Sequence, residues 1–253
     1  MSTAKMALIA VTGVAAALLF TVLAVAGDER AVFLMLALYV GGIALVTLYR
    51  RFSRRSAVER EARRLGLSFS RRDPFRVLDA DFHPFLRFGK LPGTQRVENV
   101  IWGVRDGREV RAFDYRRPAE DEIRYSCAMV RIPDRWPSLL VRRHGPLDVA
   151  RNAAGLQRIG FELDEFNRRF EVRSDDRRLA SAVIDQRMIG WLLESDPALG
   201  FQLQEGWLLA WMPQLPPDEL ERTLTTVEGF HERIPRAVWS LYGDGSPARP
   251  DLG

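Results

Sequence analysis

Two uncharged apolar runs near the N-terminus constrain this chain more than any other feature. Residues 6–26 and 31–49 carry no charged side chain, and only the short turn 27–30 separates them. At about 1.5 Å per residue, the first run reaches roughly 31 Å as a helix, close to the ~30 Å hydrocarbon core of a bilayer. The two runs therefore predict a transmembrane helical hairpin over residues 1–50.

The flanking charges predict the orientation of this hairpin. The second run is followed directly by four arginines, Arg50, Arg51, Arg54 and Arg55, whereas the turn carries one arginine and two acids. Because positive residues concentrate on the cytoplasmic side, the rest of the chain is expected in the cytoplasm of a bacterium, at its plasma membrane. The same arginines are candidates for contact with anionic head groups at the membrane surface. The alternative is that they only fix the topology.

A cleavable signal peptide is the competing interpretation of the first run. Lys5, the apolar stretch and the small residues 24–26 before Gly27 resemble its three regions. Cleavage would leave a single span. The arginines after the second run would still keep the remaining chain in the cytoplasm.

The charge is distributed unevenly along the chain. Residues 50–72 contain nine arginines and only two acids, Glu59 and Glu61, which gives a local net charge of +7. Since the whole chain has a net charge of +4, the remaining residues are net negative. A nucleic-acid-binding globule carries a basic face of its own, so this distribution argues against a nucleic-acid partner. Cys127 is the only cysteine, which excludes an intrachain disulfide.

The polar part of the chain predicts an α+β fold. A basic juxtamembrane helix is expected within residues 51–65. Ser56 and Glu59 match a capping box, which predicts a short helix over residues 57–65. One soluble antiparallel α+β domain is expected over residues 66–242, because strands in hairpins are followed by helices mixed with hairpins. The tail 243–253 is rich in glycine and proline and is expected to be disordered.

Two hairpins give the strongest local signals. Asp106-Gly107 lies between apolar stretches and is a pair favoured in type I′ turns. That turn predicts the pairs Gly103–Val110, Ile101–Ala112 and Val100–Phe113. Glu205-Gly206 predicts a second hairpin between residues 201–204 and 207–212.

The remaining elements follow from periodicity and capping signals. Strands are predicted over residues 67–71, 125–132, 139–143 and 166–173, the second of them central because it is apolar on both faces. Helices are predicted over residues 148–159 and 174–194, and a last one begins at Pro217.

Two weak constellations could carry chemistry. Cys127 and His144 could act as a nucleophile and base, with Asp148 orienting the imidazole. Against this, Cys127 lies in a predicted strand among apolar neighbours, where a free cysteine is usually a small buried hydrophobe. Asp79, Asp81 and His83 are acceptable ligands for zinc or non-haem iron, but Pro84 follows and no second ligand cluster is visible. The favoured interpretation has no metal and no cofactor.

The sequence resembles a group of uncharacterised, largely actinobacterial, membrane-anchored proteins with a domain of unknown function. The resemblance rests on residues 99–103, Asp106-Gly107, residues 113–115 and residues 165–172, within a region from about Leu65 to Tyr242. It implies a bacterial plasma membrane location and an intact domain. It assigns no activity and no residue roles.

These patterns favour a membrane-tethered, non-enzymatic module that binds a protein or lipid partner at the cytoplasmic face. The alternative is a membrane-associated, hydrolase-like enzyme whose site has no recognisable motif. The identity of the partner and the oligomeric state stay open.

Overall fold

A long helix, α1 (Glu29–Arg64), begins the part of the chain that the computed structural model describes. The described residues are 29–80, 82, 85, 95–117, 123–144, 156–194 and 200–243, so the predicted first span lies outside them. The chain divides into two compact units, Met1–Arg54 and Arg55–Gly253.

Helix α1 is continuous where the sequence predicted a new helix start. No proline interrupts residues 29–64, and the helix ends before Gly66, whose φ of 69° is the left-handed conformation favoured after a helix C-terminus. Ser56 therefore lies inside the helix, and the capping-box prediction is wrong. Within the described ranges, no helix has the length and hydropathy needed to cross a bilayer. The two predicted transmembrane helices are not confirmed.

The described residues of the second unit form one nine-stranded antiparallel sheet. The spatial order of its strands is β1-β2-β3-β4-β9-β8-β5-β7-β6. The strands are β1 (Ser68–Arg72), β2 (Arg96–Arg105), β3 (Arg108–Arg117), β4 (Ile123–Arg131), β5 (Leu139–Arg143), β6 (Gln157–Ile159), β7 (Phe170–Ser174), β8 (Gly200–Gln204) and β9 (Trp207–Pro213). The predicted antiparallel α+β class is confirmed, with β4 central as expected.

Five shorter helices accompany this sheet in the described ranges. They are α2 (Asp164–Arg169), α3 (Arg177–Val183), α4 (Gln186–Glu194), α5 (Leu220–Arg233) and α6 (Arg236–Tyr242). Single 3₁₀ turns occur at Val77–Asp79 and Pro217–Glu219, the second of which leads into α5.

Both predicted hairpins are confirmed by their turns. Asp106 and Gly107 have φ values of 49° and 74°, and Glu205 and Gly206 have 50° and 75°, as a type I′ turn requires. The pairs Gly103–Val110 and Ile101–Ala112 are present. The predicted pair Val100–Phe113 is wrong, because the register shifts between Glu98 and Ile101. Asn99, at φ 54°, takes up the extra residue of this bulge.

Three other predictions need correction. Residues 157–159 form a strand rather than the end of a helix, and residues 164–169 form helix α2 before strand β7. The predicted helix 174–194 is two helices, each begun by an aspartate. Asp176 accepts hydrogen bonds from the backbone of Arg178 and Leu179, and Asp185 accepts one from Met188.

Two apolar clusters cover the two faces of the sheet. One joins the helices to the sheet, and Leu224, Val227 and Phe230 of α5 are fully buried in it. The other contains Phe113 and Leu209 on the opposite face, packed with residues that follow β1, namely Val77, Phe82 and Phe85. Burying one such side chain contributes about 1.5–3 kcal/mol, so both faces stabilise the fold.

Candidate functional site

The basic end of α1 is built into the second unit. Val58 and Ala62, one helical turn apart, are buried in the same apolar cluster as the helices and the sheet. Arg60 and Arg63 lie on the exposed side of the helix. Residues 55–64 are therefore an amphipathic segment, with an apolar side in the core and a basic side towards solvent.

An ion-pair network holds the last turn of α1. Arg64 Nη2 lies 2.6 Å from Glu221 Oε2 of α5. Glu221 Oε1 also lies 3.0 Å from Arg105 Nη2 of β2, and Arg105 Nε lies 3.3 Å from Glu228 Oε1. Single exposed ion pairs contribute little, whereas a network that joins three elements fixes their positions relative to one another.

The carboxylates of this network differ in their pKa. The pKa of Glu221 is lowered, first by the hydrogen bond from Arg64 and further by the charge of Arg105. Burial raises the pKa of Glu228, and the nearby charge of Arg105 only partly offsets this effect. Glu221 is therefore held as the charged partner of the two arginines.

The four arginines predicted at the membrane surface all lie in α1. Arg54 and Arg55 are half-buried, and Arg54 has an interaction partner. Nothing in the structure tests their contact with lipid, which stays a prediction.

The candidate pair Cys127 and His144 is not brought together. Cys127 is fully buried in β4, where burial and the neighbouring charge of Asp114 raise the pKa of its thiol. His144 is exposed just after β5, and its backbone amide donates to the carbonyl of Arg169. Two strands, β9 and β8, lie between β4 and β5, a separation of roughly 14 Å at about 4.8 Å per strand.

The candidate metal ligands are only partly described. Asp79 is exposed, and its Oδ2 lies 3.7 Å from Nε of Arg76. Asp81 and His83 lie outside the described residues. Among the residues that the structure does describe, no group of three His, Cys, Asp or Glu side chains could hold a metal ion.

The sequence analysis missed a buried charge cluster on the sheet. Glu171 of β7 accepts hydrogen bonds of 2.8 Å from Nε of Arg142 and from Nε of Arg173. Burial acts to raise the pKa of Glu171, but the hydrogen bonds from Arg173 and Arg142 outweigh it, and the pKa is lowered. Only the register shows that Arg142 and Glu171 are cross-strand partners. No pattern within either strand could have indicated this cluster.

A second missed feature is an arginine between two aromatic rings. The Cζ atom of Arg111 lies 3.8 Å from the ring centroid of Phe75 and 4.0 Å from that of Trp207. Phe75 also meets Trp102 edge to face at 5.4 Å. Cation–π contacts of this kind contribute about 0.5–2 kcal/mol each, so Arg111 fastens the segment after β1 to the sheet.

Comparison with known proteins gives a fold but no family. No protein-family model matches the sequence, and neither does a curated protein. A solved structure has a similar fold. It is the crystal structure of the mycobacterial trehalose monomycolate transport factor A, TtfA, with a TM-score of 0.56 and 16% identity over 71% of this chain and 93% of that chain. The mycobacterial source agrees with the actinobacterial resemblance, while membership of that group stays a prediction.

Proposed function

We propose that this protein is a membrane-tethered, non-enzymatic module that binds a lipid or protein partner at the cytoplasmic face of a bacterial plasma membrane. One observation carries the proposal. The uncharged apolar residues 31–49 lead within a single helix into Arg50, Arg51, Arg54 and Arg55. An apolar stretch of this length followed by a positive cluster is the signal that places a following domain in the cytoplasm.

The fold likeness supports the lipid-related part of the proposal. TtfA is named as a transport factor for trehalose monomycolate, and a role in handling lipids at the cell envelope is consistent with a similar fold here. Cys127 is fully buried with a raised thiol pKa, and two strands separate its strand from β5, which ends just before His144, so this pair does not support the hydrolase-like alternative.

Membrane tethering is tested by fractionation of the full chain expressed in a bacterium. The wild-type protein is expected in the membrane pellet after an alkaline carbonate wash. A variant with a charge in each predicted span, Leu18→Arg with Leu36→Arg, is expected to be released, since a charge at the bilayer centre costs about 2.5–3.5 kcal/mol or more. The control Ala237→Arg, on an exposed position of α6, should stay in the pellet. Release of the wild-type protein by carbonate contradicts the tether.

Orientation is tested with a thiol reagent that does not cross the bilayer. Cys127 is fully buried, so the wild-type protein provides an unlabelled background. Ser240→Cys places a thiol at an exposed position of α6. Labelling is expected only after the cells are broken. Labelling of intact cells would show that the domain faces the outside and would overturn the cytoplasmic assignment.

The partner class is tested by placing the full chain in nanodiscs of zwitterionic or anionic lipid. A lipid partner predicts that anionic lipid increases the amide-exchange protection of residues 55–64. A protein partner predicts crosslinks in cells to a specific protein at the exposed face of this segment, which Arg60→Glu with Arg63→Glu abolishes. If neither the added protection nor the specific crosslinks are observed, the proposed binding module has no ligand and the proposal is contradicted.

A further inference from the structure

A groove opens where β1 ends and β2 begins. It has a volume of about 440 Å³ and is lined by the end of β1, the turn after it and the start of β2. The lining residues are Arg71, Arg72, Asp73, Leu78, Gln95, Arg96, Val97 and Glu98. Three of these eight residues are arginines, all of them exposed. Three basic residues therefore line this concave surface.

Of the two acids among the described lining residues, Asp73 is held by the backbone. Asp73 Oδ1 accepts a hydrogen bond of 2.9 Å from the amide of Phe75, and Oδ2 accepts one of 2.6 Å from the amide of Val77. Both oxygens thus hold the turn after β1. The carboxylate of Asp73 is directed to these amides rather than to an arginine.

The second acid forms no ion pair with the arginines. Glu98 is the cross-strand partner of Arg72. Even so, the guanidinium groups of Arg71, Arg72 and Arg96 form no hydrogen bond or ion pair with Glu98 or with any other described residue. The donors of three arginines therefore remain available to a ligand.

A row of like charges continues from the groove across the sheet. Arg96 is the cross-strand partner of Arg116, and Arg116 is that of Arg124. Like charges directly opposite each other destabilise a sheet. Arg116 and Arg124 have partners elsewhere, and the connection from β3 to β4 carries three acids in the sequence, Glu120, Asp121 and Glu122. Only Arg71, Arg72 and Arg96 are therefore counted as positive charges of the site, and Arg116 and Arg124 are not.

We propose that this groove binds a phosphate-bearing anion through Arg71, Arg72 and Arg96. The planar guanidinium group matches phosphate oxygens in pairs of parallel hydrogen bonds, which is why arginine predominates in phosphate recognition. The groove volume lies in the range of about 300–1,000 Å³ that is typical of small-ligand sites. The ligand is a free phosphate compound or the phosphate of a lipid head group. This site goes beyond the proposed function, because it consists of residues of the second unit and needs no membrane anchor.

The test uses the full chain in non-ionic detergent micelles. One arm titrates inorganic phosphate and sn-glycerol 3-phosphate, and the other adds short-chain phosphatidylglycerol or phosphatidylcholine to the micelles. Affinity is measured by thermophoresis, and the site is located by amide-exchange protection of residues 68–72 and 96–98. Arg72→Gln with Arg96→Gln is expected to weaken binding about tenfold or more, since each charge-assisted hydrogen bond contributes appreciably to affinity.

The control removes two charges elsewhere. Arg177→Gln with Arg236→Gln changes two exposed arginines on helices α3 and α6 and should leave binding unchanged. If the wild-type protein binds the soluble phosphates and the groove variant does not, the ligand is a free phosphate compound. If the wild-type protein prefers phosphatidylglycerol to phosphatidylcholine and the groove variant loses this preference, the ligand is a lipid head group. Absence of binding in both arms, or equal loss in the groove and control variants, overturns the site without affecting the tests of tethering.

Discussion

The side-chain amide of Asn99 donates a hydrogen bond of 2.8 Å from Nδ2 to Oδ2 of Asp114 on the neighbouring strand. Both side chains are buried, and Asn99 sits in the bulge of β2 with a φ of 54°. Asparagine tolerates this left-handed conformation better than most residues and here also satisfies a buried carboxylate. The bulge and the polar pair therefore depend on one residue.

Replacement of Asn99 is expected to destabilise the domain. Asn99→Ala loses the donor to Asp114 and places an alanine at positive φ, so we expect a loss of about 2–4 kcal/mol of unfolding free energy. Asn99→Gly loses only the hydrogen bond and should cost about 1 kcal/mol less. Urea unfolding of the full chain in detergent, followed by tryptophan fluorescence, measures both. Equal midpoints for the two variants would show that the backbone conformation contributes nothing.

Removal of the Tyr115 hydroxyl is expected to cost little. The residue is fully buried, and its hydroxyl has no hydrogen-bond partner in the described part of the chain. Tyr115→Phe should therefore change stability by less than about 1 kcal/mol, or increase it.

The buried hydroxyl of Ser126 accepts a hydrogen bond of 3.0 Å from the amide of Leu215. Ser126→Ala should thus cost about 1–3 kcal/mol of unfolding free energy in the same urea experiment. A larger loss for Tyr115→Phe than for Ser126→Ala would contradict both expectations.

The ionisation of Tyr115 gives the same variant a second readout. Burial raises the pKa of Tyr115 above its usual range. Above a pH of about 10, the unfolded chain releases a proton that the folded chain retains, so stability falls as the pH rises. Tyr115→Phe should reduce this fall. Burial also raises the pKa of Tyr125, so a Tyr125→Phe variant serves as a reference for the size of this pH-dependent fall in stability.

Acid should weaken the domain through His231. This histidine is buried in α5 against Trp239, and burial, with a smaller effect of the Arg108 charge, lowers its pKa to about 4. The unfolded chain has a pKa near 6.5 and binds the proton first. Stability is therefore full above pH 6.5 and falls as the pH drops towards 4, by on the order of 3 kcal/mol.

The control for this pH dependence is the exposed His144. Thermal unfolding at pH values between 4 and 7 should show a shallower slope for His231→Gln than for the wild-type protein. His144→Gln should retain the wild-type slope. If His231→Gln also retains it, the loss of stability in acid comes from other groups.

The ion pairs of Glu221 should hold the end of α1 in place. Glu221→Gln removes the charge that faces Arg64 and Arg105, so residues 58–64 are expected to exchange their amide hydrogens faster. Glu219→Gln is the matched control, because Glu219, in the turn just before α5, forms an exposed pair with Arg222 at 3.3 Å. Unchanged exchange in Glu221→Gln would mean that burial of Val58 and Ala62 alone holds the helix.

The sequence by itself determined the features that depend on a few neighbouring residues. Asp106-Gly107 and Glu205-Gly206 predicted both hairpins, because positive φ values at two successive positions suit few residue pairs. The apolar spacing in α5 and the two-sided apolar pattern of β4 predicted their burial. The buried thiol of Cys127 was foreseen for the same reason.

Only the tertiary structure decided what depends on contacts between distant residues. Residues 157–159 form an edge strand because they pair with β7, which in turn pairs with β5. The strand order separates Cys127 from His144, and it brings Arg142 to Glu171 and Arg72 to Arg96 of the groove. The physical reason is that strand pairing buries apolar area between segments far apart in sequence. The free energy of that burial outweighs local preference, and no local pattern records which segments will meet.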